Sequence, residues 1–147
     1  WEKKEKESAE SGGSHSVPDW DGCHLKILVA EDNDLNILYL KALLQKWDVR
    51  FDIVRDGLQA IEALKVTPYD AVLLDVQMPV MDGMSALIAL RKMDIKSRSQ
   101  LALPVFMVTA FADDETRRLA MLHGANGFLA KPFSPEAMFN ALKFAES

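Results

Sequence analysis

Five polar side chains in this 147-residue chain stand directly after short apolar runs: Glu31 and Asp32 after "KILVA", Asp75 after "AVLL", Thr109 after "PVFMV" and Lys131 after "GFLA". Each alone has an ordinary explanation, such as a strand-end cap, a loop start or a solvated lysine. Together they define a chemistry. Three carboxylates gathered in one place repel one another, so either one takes up a proton or a cation joins them. All three offer oxygen and no Cys/His cluster is present, which selects a hard cation; Mg²⁺ is held by one or two carboxylates together with a phosphate oxygen and waters. An ammonium and a hydroxyl complete a site for a phosphoryl group. Its transfer needs an aligned nucleophile and positive charge over the equatorial oxygens more than covalent help. Asp75 is then the nucleophile, since a carboxylate can form an aspartyl phosphate. Asp32 and Asp75 hold the metal, with Glu31 acting directly or through water. Lys131 pairs with one phosphoryl oxygen and Thr109 donates a hydrogen bond to another.

Side chains as far apart as positions 31 and 131 meet only if their strands end on one edge. That is the property of an open parallel sheet, whose ligands sit at the carboxyl ends of the strands. The sequence supports such a sheet. Short apolar runs at 25–30, 71–74, 104–108 and 127–130 alternate with helix-period stretches at 36–47, 57–65, 84–92, 114–123 and 135–145, the pattern of βαβ units. The run 49–54, "VRFDIV", alternates apolar and polar residues, whereas doubly buried strands read as continuous apolar runs, so it belongs at a sheet edge. Asp113 is the expected N-cap of the fourth helix and Gly124 its stop, and Ser134-Pro135 opens the fifth. The count is five strands and five helices in one α/β domain, doubly wound with helices on both faces. His123 stands where an imidazole can face a helix C-terminus.

Composition narrows the function classes. The chain is 49% apolar, enough for one core. A net charge of −5 disfavours a nucleic-acid groove or an anionic membrane face. No apolar run approaches the ~20 residues that span a bilayer, and no secretory signal opens the chain. The single cysteine, Cys23, cannot close an internal disulfide, in keeping with a reducing cytoplasm. Residues 1–24 are charged and Ser/Gly-rich and read as a linker or tail, with 25–147 as the folded domain. Trp20 is the exception, an indole costly to leave wet and expected to fold back as an anchor. The chain opens on Trp1 rather than Met, which reads as a fragment boundary. Met78, Met81, Met84 and Met93 are expected to fill gaps near turns.

The residues quoted so far carry a resemblance. The acidic pair Glu31-Asp32, "LLDVQMPVMDG" around Asp75, Thr109-Ala110 and "KPF" at 131–133, in order and at strand ends, resemble the receiver domain of two-component response regulators over roughly residues 25–146. "EDNDLN" at 31–36 and the polar tail before the domain look like receivers fused to hybrid histidine kinases. The resemblance implies the flavodoxin-like strand order 2-1-3-4-5, Mg²⁺ dependence, and the backbone carbonyl of Gln77 as a further metal ligand. It implies a cis Lys131-Pro132 bond, and a histidine kinase or histidine phosphotransfer protein as phosphoryl donor. Such a domain catalyses its own phosphorylation and dephosphorylation without being a turnover enzyme, and Gln77 and Phe111 occupy the positions that tune the lifetime. Thr109 and Phe128 match the family's switch pair: the threonine turns toward the phosphoryl group and the aromatic rotamer follows. The face made by helix 114–123, strand 126–130 and helix 135–145 then shifts population, and pairing of two copies through it stays open. Phe128 lacks the hydroxyl of the tyrosine frequent here. The first helix, around Asn36, Leu38 and Tyr39, is where the family meets its donor. A cytoplasmic location is expected, including as the cytoplasmic part of a membrane-anchored hybrid kinase. No segment looks like the phosphorylated-His helix or ATP-binding boxes of a kinase core.

Rival chemistries lack residues they need. An Asp-nucleophile phosphatase requires a second acid two residues after the nucleophile, where Gln77 stands and cannot exchange a proton. A flavin-binding sheet of this kind needs a Ser/Thr/Gly phosphate loop after the first strand, where Glu31-Asp32 repels phosphate. A docking-only domain would not need the phosphoryl-binding residues that this chain retains.

Overall fold

A computed structural model describes residues 19–110, 113–131 and 134–146. The elements alternate without exception: β1 (Lys26–Ala30), α1 (Asp34–Lys46), β2 (Arg50–Val54), α2 (Gly57–Val66), β3 (Ala71–Asp75), α3 (Gly83–Lys92), β4 (Val105–Thr109), α4 (Asp114–Leu122), β5 (Gly127–Ala130) and α5 (Pro135–Glu146). The strands form one parallel sheet in the order β2-β1-β3-β4-β5. Each βαβ crossover adds a strand to one side of β1 or the other, so the winding reverses beside β1. The cleft described below opens at that reversal.

The period of two along each strand divides the core into two layers. Ile27, Val29, Ala71, Leu73, Phe106, Val108 and Leu129 face α1 and α5, packing on Leu40, Leu44, Met138 and Leu142. The intervening residues Leu28, Ala30, Val72, Leu74, Val105 and Met107 face α2, α3 and α4, packing on Ile61, Leu64, Leu87, Leu90 and Ala120. Both faces of the central strands are therefore apolar, which is why these runs show no alternation. β2 is the half-exposed edge expected from its alternating pattern. β5 is the opposite edge, although "GFLA" reads as apolar throughout. Only its Leu129 is buried, so a four-residue run gives too little length for alternation to register.

Polar caps set the helix starts. Asp56, Asp82 and Asp113 accept the backbone N–H groups of Gln59, Ser85 and Thr116. Ser134 Oγ accepts that of Ala137 at 3.1 Å. α1 begins two residues before the expected Asn36, because Asn33 Oδ1 accepts the Asn36 N–H at 3.0 Å and draws Asp34 and Leu35 into the first turn. Apolar periodicity starts at Ile37 and does not register that polar turn. α3 can begin directly against β3 only because position 83 is glycine: a Cβ there would lie 2.2 Å from the Asp75 carbonyl oxygen.

The chain ahead of β1 is folded onto the domain. Trp20 meets Trp47 and Phe139 edge to face, with ring centroids 5.8 and 5.4 Å apart. Gly22 N–H donates to the Trp47 carbonyl at 2.7 Å. Residues 1–18, including His15, lie outside the described residues, as do Phe111 and the Lys131-Pro132 bond. No described helix is long and apolar enough to cross a membrane.

Candidate phosphoryl and metal site

Strand parity builds the site. Glu31 continues the Ile27–Val29 side of β1, Asp75 the Ala71–Leu73 side of β3, and Lys131 the Leu129 side of β5. All three therefore emerge on the α1/α5 face at the carboxyl edge of the sheet. The ladder runs on past the strands and fixes their backbones: Glu31 N–H donates to Val54 O at 3.0 Å, Val76 N–H to Val108 O at 2.9 Å, and Lys131 N–H to Thr109 O at 2.8 Å. Lys131 Nζ then reaches Asp75 Oδ2 at 2.8 Å and the two Glu31 carboxylate oxygens at 3.0 and 3.2 Å. Asp75 Oδ1 accepts the Gln77 backbone N–H at 3.1 Å. One carboxylate oxygen of Asp75 is thus held by the loop that follows it and the other by the ammonium.

Asp32 completes the acidic group. One oxygen from each of Glu31, Asp32 and Asp75 lies within 4.8 Å of the others, with Glu31 and Asp75 buried and Asp32 exposed. One ammonium faces three carboxylates, so the cluster keeps an excess of negative charge. Burial, and after it the neighbouring Asp75, raises the Glu31 carboxyl above its usual 4.5. Burial opposes the charge on Lys131, but its hydrogen bonds to Asp75 and Glu31 outweigh that and hold its pKa above the usual 10.5. An all-oxygen donor set of this charge and spacing fits a hard divalent cation.

A cleft of about 550 Å³ opens over these groups. It is lined by Glu31, Asp32, Asn33, Asn36, Asp75, Gln77, Met78, Pro79, Thr109, Ala110 and Lys131. The structure therefore brings Glu31, Asp32, Asp75, Gln77, Thr109 and Lys131 to one place. Thr109 comes from the other parity of β4 and is 3% exposed at the cleft wall. Phe128 does not line the cleft. It sits half-buried on β5, opposite Met107 in register and on the side of the sheet that carries Thr109.

Sequence reasoning missed the roles of Asn33 and Asn36 in the cleft. The Asn33 backbone N–H and Asn36 Nδ2 donate to Glu31 Oε2 at 3.2 and 3.4 Å, steadying a carboxylate in excess. Asn33 is the N-cap of α1 and Asn36 lies in its first turn, so neither spacing nor residue type singles them out for this role. Arg55 was missed as well. From the end of β2 its guanidinium reaches the Asp32 carbonyl at 3.4 Å and Asp34 Oδ1 at 2.7 Å, across the rim. The loop after Asp75 carries a strained residue: Val80 has φ 67°, and Met81 N–H closes back on the Pro79 carbonyl at 2.7 Å.

Comparison with known proteins agrees with this geometry. The family model for the response regulator receiver domain matches residues 27–143. The autoinducer 2 sensor kinase/phosphatase LuxQ of Vibrio vulnificus is 35% identical over 121 residues, covering 82% of this chain and 14% of that protein. The hybrid signal transduction histidine kinase I of Dictyostelium discoideum is 30% identical over 138 residues, 90% of this chain and 8% of that protein. The chain thus spans a small fraction of the length of these relatives. Among solved structures, the receiver domain of sensor histidine kinase PA1611 from Pseudomonas aeruginosa PAO1 has magnesium coordinated in its active site cleft. It superposes with a TM-score of 0.73 at 32% identity, covering 84% of this chain and 98% of that one. The receiver domain of Saccharomyces cerevisiae Ssk1, solved in complex with the histidine phosphotransfer protein Ypd1, gives 0.74 at 26% identity, covering 81% of this chain and 86% of that one.

Proposed function

The chain belongs to the response regulator receiver domain family of two-component signalling, and from that premise we propose that Asp75 is its phosphoacceptor, taking a phosphoryl group from a phosphohistidine donor. The observation that carries the assignment is the placement of Asp75: a buried carboxylate, bonded on one oxygen by Lys131 and on the other by the Gln77 N–H, at the floor of an open acidic cleft.

The chemistry follows from these contacts. A carboxylate oxygen of Asp75 attacks phosphorus, the P–N bond to the donor imidazole breaks, and the imidazole leaves with the bonding pair and takes a proton. Lys131, already beside that carboxylate, moves its charge onto a phosphoryl oxygen as the carboxylate charge is lost to the new bond. Thr109, at the cleft wall, donates a hydrogen bond to a second phosphoryl oxygen. The Gln77 N–H fixes the rotamer of Asp75 before the donor arrives, so little reorganisation remains at the moment of reaction. Asp32, Asp75 and the Gln77 carbonyl would hold a Mg²⁺ ion, with Glu31 acting directly or through water, and the ion would neutralise charge on the transferring group. The same residues serve hydrolysis, so the domain catalyses its own phosphorylation and dephosphorylation.

The donor is a histidine kinase or a histidine phosphotransfer protein. The surface that meets it is the apolar outer side of α1 beside the cleft, where Leu35 and Leu38 are 77% and 65% exposed and Tyr39 stands next to them. The relatives are kinases of much greater length, so the reading extends to a cytoplasmic receiver within a hybrid kinase, signalling through α4, β5 and α5 by a Thr109–Phe128 switch. Phosphotransfer from a phosphohistidine donor, or from a small acyl or amidophosphate with Mg²⁺, tests the assignment. The wild-type chain should gain the mass of one phosphoryl group and Asp75→Asn should gain none. Equal labelling of the variant removes Asp75 as acceptor.

A further inference from the structure

α4 is the most loosely seated helix of the five. It buries Ala120 alone, whereas α1, α2 and α3 each bury four residues and α5 three. An element with so little buried apolar area is held in place by a few specific contacts. One of them is unusual. The Arg117 guanidinium carbon of α4 lies 5.4 Å from the centroid of the Phe128 ring on β5. The next residue, Arg118, turns back to its own helix and forks onto Glu115 at 3.0 and 2.8 Å. Only the first of these neighbouring arginines reaches across to the strand.

Phe128 has no hydroxyl, so nothing can hold its ring by a hydrogen bond. Besides apolar area, the ring offers the negative face of its quadrupole, which a guanidinium binds. The Lys131–Asp75 ion pair and the Arg117–Phe128 contact occur together in one arrangement. We propose that Arg117 is a positioning residue of the switch: its stack on Phe128 holds the half-buried ring in its present place and ties α4 to β5 until Asp75 is phosphorylated. Turning the ring inward, behind Thr109, removes the face from Arg117 and frees the helix in the same step. This rests on the reading of Asp75 as phosphoacceptor.

The test uses Mg²⁺ with beryllium fluoride as the phosphoryl mimic, on the full chain. 4-Fluorophenylalanine at position 128 supplies a fluorine NMR signal in parallel. Arg117→Gln removes the weight on the unmodified state and should tighten beryllofluoride binding about two- to fivefold, the range of a surface cation–π contact. Arg117→Lys, which keeps a cation, should recover part of the difference. In a Phe128→Leu background Arg117→Gln should change nothing. Without any ligand, Arg117→Gln should move the fluorine resonance of the wild-type ring. The proposal is overturned if the effect of Arg117→Gln is equally large in Phe128→Leu, because the guanidinium then acts through its charge on the acidic cleft. It is overturned too by an unmoved resonance, or by binding that weakens or stays the same. Failure of the wild-type chain to bind the mimic at all is a different result and strikes the Asp75 assignment itself.

Discussion

Lys131→Met isolates the electrostatics of the cleft, because its effects on stability, metal binding and chemistry have different signs. The ammonium is the partner of Asp75 at 2.8 Å and of Glu31 at 3.0 Å, and its side chain is 16% exposed while theirs are 7% and 2%. Removing one partner of a buried ion pair costs about 3–5 kcal/mol. The low end applies here, about 3 kcal/mol, since the cleft is open to water on one side. For a domain of this size that is a fall in Tm of roughly 10 °C. The pH dependence should change as well. In the wild type the folded-state pKa of Lys131 lies above its usual 10.5, so its contribution is fully present below that value and is lost as pH rises through the folded pKa; the variant lacks this alkaline loss. Glu31, already raised by burial and by Asp75, is raised further without the ammonium. A carboxyl with an elevated folded pKa favours the folded state as it takes up its proton, so the variant should gain stability as pH falls from 8 toward 5. Mg²⁺ should stabilise the variant more than the wild type, because the cation then meets three carboxylates with no competing ammonium. Phosphorylation of Asp75 should nevertheless slow by about a hundredfold, the scale for losing one preorganised charge at the reacting group. Thermal unfolding from pH 5 to 8 with and without Mg²⁺, its extension without Mg²⁺ to above pH 10.5, and a phosphotransfer rate measure these effects. A variant as stable as the wild type without Mg²⁺, or stabilised less by it, refutes the claim that these carboxylates share Lys131 as their counter-ion.

Two further predictions concern residues outside the chemistry. Trp20→Ala removes the edge-to-face contacts with Trp47 and Phe139 and should destabilise the domain by about 2–3 kcal/mol, below the full core value because the indole is half-buried; chemical denaturation measures this, and an unchanged midpoint would mean that the segment before β1 adds nothing to the fold. Val80→Asn places a residue tolerant of left-handed backbone at φ 67° and should stabilise by about 1 kcal/mol, raising Tm by a few degrees; a fall in Tm would show that the exposed valine contributes more through contact than it loses through strain.

What the sequence disclosed follows from where its signals are local. The four apolar runs and the polar residue at the end of each are visible because burial on both faces demands unbroken apolarity and a site at the sheet edge demands polarity at the next position. Parity then carries the placement: Glu31, Asp75 and Lys131 lie on one face because each continues the same side of its strand. Side-chain contacts between elements left no such trace. Nothing in the spacing of Asn33 and Asn36 shows that they steady Glu31, since a polar loop after a strand needs no further explanation. Trp20 was legible as a misplaced apolar group, but its partners Trp47 and Phe139 come from the C-terminal end of α1 and from α5, and only the fold brings them together. Arg117 reads as one of several charges on an exposed helix, and its target is eleven positions away on a strand edge.

The same contrast bears on how a signal could leave the cleft. Asp75 is held at three points: Gly83 seats α3 against its backbone, Gln77 holds one carboxylate oxygen and Lys131 the other. A group so tightly held cannot itself travel far. Motion must appear where burial is least, and that is α4, with Ala120 alone in the core. Its C-terminal end is nonetheless pinned, for Arg91 of α3 donates to the Gly124 carbonyl at 2.7 and 3.2 Å, while Asn126 Oδ1 accepts from Arg91 and from the Val105 N–H. On the proposed reading, a helix fixed at its C-terminal end and leaning on one aromatic ring near its middle moves by a pivot about Gly124. On that same reading, a change at Asp75 too small to remodel the core is delivered as rotation of one surface helix.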